Sequence, residues 1–228
     1  MRKIIKKKYA APPSFLKYKK AKNAAFEEMD KEVKQDLKAS LIKEQHGICA
    51  YCQNLLKDKI KIEHHCEQTI CDGKNGTIDR RLDYTNLFAV CIGETTTQEK
   101  DKNGLPKKVL HCDTLKSQFN SKNGLPIEVN PRIQIHIDKI NYSSNGRILS
   151  KEERHDKEIN SILGLNAVHL KDMRKRMWRS IFKNSRLTNG PINKEKMHKI
   201  IASLLTQKDG YFQHPFPAVA EYMLKRFD

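Results

Sequence analysis

Apolar residues recur along this chain at two periods, and the periods mark out its elements. Between 22 and 45, Phe26, Met29, Val33, Leu37, Leu41 and Ile42 fall on one face at helical spacing, with Gly47 where a C-cap glycine is expected. Residues 59–63 (Lys-Ile-Lys-Ile-Glu) alternate as a half-buried strand does, and Leu87-Phe88-Ala89-Val90 is a second short strand. Residues 67–81 are polar and loop-like, and 93–110 form an insertion rich in Thr, Lys, Asn and Gly. A helix opens near Asp113 and runs to about Asn120. Ile133, Ile135 and Ile137 alternate ahead of a Ser-Ser-Asn-Gly turn and Arg147-Ile148-Leu149, which predicts a hairpin over 132–150. Helical spacing then covers about 151–163, 166–185, 192–207 and 216–227, with Gly190-Pro191 as a break. The pattern predicts an α+β chain, mainly helical. It divides into a basic arm (1–20), a central module (21–120), and a β-hairpin plus helical region (121–228) packed on that module. Lys-Asn-Gly-Leu-Pro occurs at 102–106 and again at 122–126, marking two turns and carrying no functional weight.

Charge narrows the partners. The 228 residues hold 44 Lys and Arg against 27 Asp and Glu, a formal balance of +17, which points to a polyanion, nucleic acid before anionic membrane. No stretch approaches the ~20 apolar residues a membrane span needs. Residues 1–20 carry eight Lys or Arg and no acid around Pro12-Pro13, as an extended arm would. The helix at 166–185 sets Lys171, Arg174, Lys175, Arg176, Arg179 and Lys183 around Met173, Met177, Trp178 and Phe182. Its Arg174 and Lys175 are candidate phosphate contacts, against the plainer reading of a core helix with a solvated face.

All six cysteines lie between 49 and 112. The first residues are charged but lead into no apolar core of signal-peptide type, so a reducing cytoplasmic setting is expected, where thiols bind metal rather than pair. Cys49-Ala-Tyr-Cys52 is a C-x-x-C knuckle, and Cys91 and Cys112 supply two further thiolates, the set a structural Zn²⁺ site takes. No thioredoxin-like βαβ pattern surrounds the knuckle to favour a redox pair. His111 competes with Cys112 for its place on the ion; Cys66 and Cys71 compete as ligands too, and are expected to be free or spare.

Between these cysteines stand Ile62-Glu63-His64-His65, Asn86-Leu87 ahead of Cys91, and His111-Cys112-Asp113-Thr-Leu-Lys116. Cys-x-x-Cys, a carboxylate-His pair ending a strand, Asn-Leu-x-x-x-Cys and Cys-Asp-x-x-Lys together resemble the HNH endonucleases, over about residues 46–117. The opening Met-Arg-Lys-Ile, the wide insertion before His111, the Asn130-Pro131 step and Leu163-Gly-Leu-Asn166 extend the similarity to HNH proteins of Septu and retron anti-phage systems, the PtuB type. The resemblance implies a ββα-metal core and hydrolysis of phosphodiester bonds, of DNA ahead of RNA. It implies a partner ATPase of the ABC/SMC type, and the retron connection adds a reverse transcriptase with its nucleic acid.

Carried over by the same resemblance, His64 is the general base and Glu63 binds a divalent ion. Asn86 holds the loop that orients His64, and Lys116 reaches a phosphate. A register shifted by one makes His65 the base and His64 a ligand. Asp113 stands where many of the family carry His, and an all-oxygen pair with Glu63 favours Mg²⁺ or Mn²⁺. The rival reading is a catalytically silent zinc module that binds nucleic acid or scaffolds a partner; it accounts for the charge and the thiolates but not for Glu63, His64, Asn86 and Asp113.

Overall fold

A computed structural model describes the chain apart from residues 8, 9, 58, 75, 77, 124, 125, 187–189 and 228, and apart from the side chains of 120–123. The second of the two expected Asn-Gly turns falls outside the described residues.

β1 (Ile60–His64) and β2 (Leu87–Cys91) pair antiparallel, with Ile62 opposite Ala89, Glu63 opposite Phe88 and His64 opposite Leu87. Leu87–Val90 is wholly buried, and its alternate residues feed two cores. Leu87 and Ala89 join Phe15, Leu37, Leu41 and Tyr84, the first three carried on α1 (Pro13–Tyr18) and α2 (Lys31–Glu44). Phe88 and Val90 join a larger core with Tyr51, Ile159, Leu163, Leu170, Ile181 and Met223. A strand covered on both faces needs no polar alternation, which is why Leu-Phe-Ala-Val is an unbroken run. Opposed residues of an antiparallel pair share a face. The register therefore sends Glu63 to the Phe88 side and His64 to the Leu87 side.

The insertion folds into an exposed hairpin of β3 (Glu94–Lys100) and β4 (Pro106–Leu110). Thr, Lys and Glu on both its faces hide the period that would have announced two strands. Its neck needs Gly93: with φ at +65°, a Cβ there would lie 2.1 Å from the His111 carbonyl oxygen. His111 N–H donates to the Gly93 carbonyl at 2.8 Å, and α3 (Cys112–Asn123) follows and packs on β2.

The second half runs α4 (Gln134–Asp138), β5 (Ile140–Tyr142), β6 (Ile148–Ser150) and α5 (Glu153–Lys157), the last continuing into a π-turn at Glu158–Ile162. Then come α6 (Val168–Ser185), α7 (Lys194–Leu204), a two-residue pair β7 (Gln207–Lys208) and β8 (Tyr211–Phe212), and α8 (Pro217–Phe227).

Three local expectations are corrected. Ile133, Ile135 and Ile137 lead into helix α4, not a strand; Ile133 and Ile135 stay 41% and 62% exposed, so their alternation reflects no buried face. The helix expected from 22 starts at Lys31, because Phe26 packs on the His64 ring and the Tyr18 hydroxyl holds the Ala25 backbone in a turn. The first twenty residues are not an extended arm throughout. Met1 and Ile4 are buried, the N-terminal amine bonds the Tyr142 hydroxyl, Ile4 N–H donates to Pro131 O, and Pro13–Tyr18 is helical around a fully buried Phe15.

Candidate metal centre and catalytic cleft

The Cys49–Cys52 knuckle is pinned to β2 by Gln45, whose amide donates to Ile48 O and Ala89 O and accepts from Ala89 N–H. Ala50 N–H also donates to Ala89 O. Cys91 ends β2, and Cys112 opens α3 with φ at +52°, a conformation a non-glycine residue adopts only when its surroundings impose it. The four Sγ atoms lie within 4.8 Å of one another. Cys49 and Cys112 are 3.9 Å apart, Cys52 and Cys91 3.8 Å. Tetrahedral thiolates at ~2.3 Å from a zinc ion stand roughly 3.8 Å apart, so the donor set fits that ion.

His111 is a neighbour of this cluster. Its Nδ1 sits 3.1 Å from Cys112 Sγ, and burial with His169 alongside pushes its pKa down to about 4. Zinc with four thiolates would carry net −2. The buried Arg174 guanidinium lies in the field of Cys52 and Cys112 and would offset part of that charge.

On the Phe88 side of β1, Glu63 and Asp113 face each other within reach of a carboxyl–carboxyl hydrogen bond. Glu63 Oε1 also accepts from Lys116 Nζ at 2.5 Å and Tyr51 OH at 3.1 Å, while Asp113 faces Lys61 at 3.3 Å. Burial pushes Glu63 well above the usual carboxylate range, against the pull of Lys116. Burial acts on Asp113 too, but the bond from Glu63 and the charges of Lys61 and Lys116 outweigh it and hold Asp113 below its ordinary value. The two acids are therefore coupled, with burial and Asp113 opposing the charge on Glu63 and Lys116 favouring it. A short contact to Lys116 fits either protonation state, because Oε1 accepts in both. A divalent cation placed between them would find two hard oxygens facing each other.

His64 lies on the opposite face. Its ring meets Phe26 edge-on at 4.5 Å, and its Nε2–H donates to Arg81 O at 2.9 Å. That bond fixes the neutral tautomer and leaves the Nδ1 lone pair to accept a proton. Burial lowers the His64 pKa from its ordinary value. His65 returns to the Glu63 side, between Phe88 and the Tyr51 hydroxyl, and burial, with Lys116 next, drives its pKa to about 3.

Asn86 staples the chain beyond β1. Its amide accepts from Cys66 N–H at 2.8 Å and donates to Cys66 O at 2.8 Å and Arg80 O at 3.2 Å, while its carbonyl accepts from His65 N–H. Cys66 and Cys71, expected as free thiols, are joined in a disulfide that closes the turn leaving this staple.

Two predicted phosphate contacts are buried instead. Lys116 is fully enclosed, its ammonium committed to Glu63, to His64 O at 2.8 Å and to Glu67 at 3.6 Å. Arg174 donates to Gly146 O at 2.7 Å and Leu165 O at 2.6 Å, because Gly146 brings its turn against α6 so closely that a Cβ would meet Lys171 O at 2.0 Å. Lys175 stays half-buried in a separate cleft with Trp178, Arg179, Lys183 and Arg186. The cationic surface nearest His64 was not singled out from sequence. A groove of about 840 Å³, lined by Lys19, Lys22, Arg80, Arg81 and Arg132 among others, includes the Phe26 and Arg81 that touch His64. Asp79 and Asp83 pair with Arg81 and Arg80 there. The sequence signal was Arg80-Arg81 itself, inside a stretch read as plain loop.

Among the described residues, no helix is long and apolar enough to cross a membrane. No family model matches the chain. Over 91 residues, 38% of its length, the chain is 35% identical to a protein of Escherichia coli described as "Retron Ec83 putative HNH endonuclease". The match spans about a third of that protein's length (33%). The chain is thus similar, over part of its length, to a protein described as a retron HNH endonuclease.

Proposed function

We propose that this protein is a metal-dependent endonuclease of the HNH type, with β1, β2 and α3 as a ββα-metal core. One observation carries the reading. At the end of β1, Glu63 faces Asp113, and the next residue, His64, presents a free Nδ1 lone pair within the electrostatic field of Asp113 and Lys116. The partial identity to a retron HNH endonuclease supports it. Glu63 and Asp113 would hold Mg²⁺ or Mn²⁺, which stabilises the charge that builds on the phosphate and the departing oxygen. His64 takes a proton from the attacking water at Nδ1, while Arg81 O holds the ring. Asn86 acts through the 65–66 backbone as a positioning residue. Cys49, Cys52, Cys91 and Cys112 would hold a structural zinc that fixes α3, and with it Asp113, against β2. The groove cations nearest His64 would receive the backbone of the substrate, DNA ahead of RNA. An ABC/SMC-type ATPase, and a retron reverse transcriptase with its nucleic acid, are the partners proposed by the wider resemblance, in an anti-phage role.

A second reading has one observation in its favour. Lys116 already occupies Glu63, as it would in a zinc module that binds without cutting. Incubation of the purified chain with plasmid DNA and with total RNA, in Mg²⁺ or in EDTA, separates the two. Mg²⁺-dependent cutting that disappears in His64→Ala, at unchanged zinc content and helicity, is the expected result. Cutting by His64→Ala at the wild-type rate, from a preparation free of contaminating nuclease, would refute the catalytic assignment.

A further inference from the structure

Away from β1, Glu128, His136 and His155 come together from three segments: the stretch after α3, helix α4 and helix α5. Each offers one ligand atom, and these atoms lie within 4.8 Å of one another. His155 is 1% exposed, and among the described residues neither of its ring nitrogens has a hydrogen-bond partner. Its Nε2 stands 3.9 Å from Glu128 Oε1, and its ring centroid is 4.5 Å from that of His136. A buried imidazole without partners loses its hydration for nothing in return, unless a ligand takes its lone pair.

We propose that Glu128, His136 and His155 form a second divalent-metal site, distinct from the cysteine cluster and from Glu63–Asp113. Two imidazoles and one carboxylate select a borderline ion, Zn²⁺ first. A tetrahedral ion with ligands at ~2.0–2.1 Å sets them roughly 3.3 Å apart, so the 3.9 Å between Glu128 and His155 closes with a small side-chain shift. The carboxylate is already oriented for this. Arg154 Nε takes Glu128 Oε2 at 3.0 Å and leaves Oε1 toward His155. The backbone beneath is clamped, because the N–H groups of Glu128 and Val129 both donate to the buried Glu158 carboxylate. His136 Nδ1 accepts the Asn130 amide at a long 3.2 Å, and coordination at that nitrogen exchanges this contact for a metal bond. The ion braces the chain rather than acting on substrate. It ties α4 to α5, and the segment between Glu128 and α4 carries Arg132, whose guanidinium donates to Thr85 O beside Asn86.

The proposal stands independently of the nuclease reading, and its test needs no activity. The full chain is loaded with Zn²⁺, passed through gel filtration and analysed for metal, alongside Glu128→Gln and His136→Asn. Glu128 is 44% exposed at its side chain, so its amide variant removes a ligand without emptying the core. Wild type is expected to retain one more equivalent than either variant, and added Zn²⁺ to raise the wild-type melting temperature more than that of Glu128→Gln. Equal metal content and equal thermal response in wild type and Glu128→Gln would overturn the site. With Co²⁺ in place of Zn²⁺, the absorption lost in Glu128→Gln should lack thiolate-to-cobalt charge transfer. If the lost absorption carries that band, the variant has disturbed the cysteines and the assignment is equally overturned.

Discussion

Lys116→Met removes the ammonium enclosed at the centre of the candidate site, and its cost can be worked from the contacts. Two limits bracket it. If Glu63 kept its charge, loss of the partner would leave a buried carboxylate unpaired, at about 3–5 kcal/mol. If Glu63 takes up a proton instead, the cost falls to the acceptors left short of a donor, chiefly His64 O, at about 1–3 kcal/mol. Glu63 is already pushed upward by burial, so the second limit dominates at low pH and the first gains weight as pH rises. The sign follows from linkage. A carboxyl whose folded pKa is raised contributes stability that is fully present below its unfolded pKa and is lost as pH climbs through the folded value. Removing Lys116 raises that folded value further. The deficit against wild type should therefore be smaller at pH 5 than at pH 8. Near neutrality we expect about 3 kcal/mol, or roughly 6–12 °C in melting temperature at ~2–4 °C per kcal/mol for a chain of this size. The assay is thermal unfolding followed by circular dichroism at both pH values, zinc-loaded and without Mg²⁺. A variant within about 1 °C of wild type at pH 8, or a deficit that shrinks as pH rises, would refute the placement of this ammonium against Glu63.

The other predictions concern metal, base and staple. Cys49→Ser should lose zinc by elemental analysis and lose soluble, folded protein, since a structural ion contributes on the order of 10 kcal/mol; a soluble variant with wild-type helicity would contradict this. The apparent Mg²⁺ affinity for cleavage should rise from pH 6 to pH 8, because Glu63, its pKa raised by burial, must be ionised to hold the ion; an affinity independent of pH would argue against that pair as the ion's seat. Asn86→Ala should cost about 2–4 kcal/mol in a denaturant melt, from three side-chain hydrogen bonds in a buried setting, and should slow cleavage more than it weakens nucleic-acid binding. Equal stability in wild type and variant would remove Asn86 from the staple.

Legibility from sequence followed the range of each interaction. The cysteine knuckle could be read because two thiols separated by two residues lie side by side whatever the fold. The opposite faces of Glu63 and His64 followed from the two-residue period of a strand. Lys116 and Arg174 could not be placed this way. A cation's direction depends on acceptors brought up from elsewhere, here Glu63 on β1 and the bare carbonyl of Gly146 on a distant turn. The Glu128–His136–His155 cluster has no motif at all, since its members meet only once α4 and α5 have packed. The hairpin at 94–110 escaped because polar residues on both faces leave no period to detect. Ile133, Ile135 and Ile137 erred the other way, showing a period with no buried face behind it.

That hairpin has a practical use. Both its ends are tied down, one behind Cys91 and the other ahead of Cys112, while its tip around Asn103-Gly104 touches nothing that a Cβ at Gly104 would reach. Lengthening an exposed loop costs only ~0.6 kcal/mol per doubling. A fluorophore or an affinity peptide spliced in at the tip would ride on a stalk anchored at the sulfur cluster, reporting on assembly with other molecules while leaving the chemistry beneath untouched.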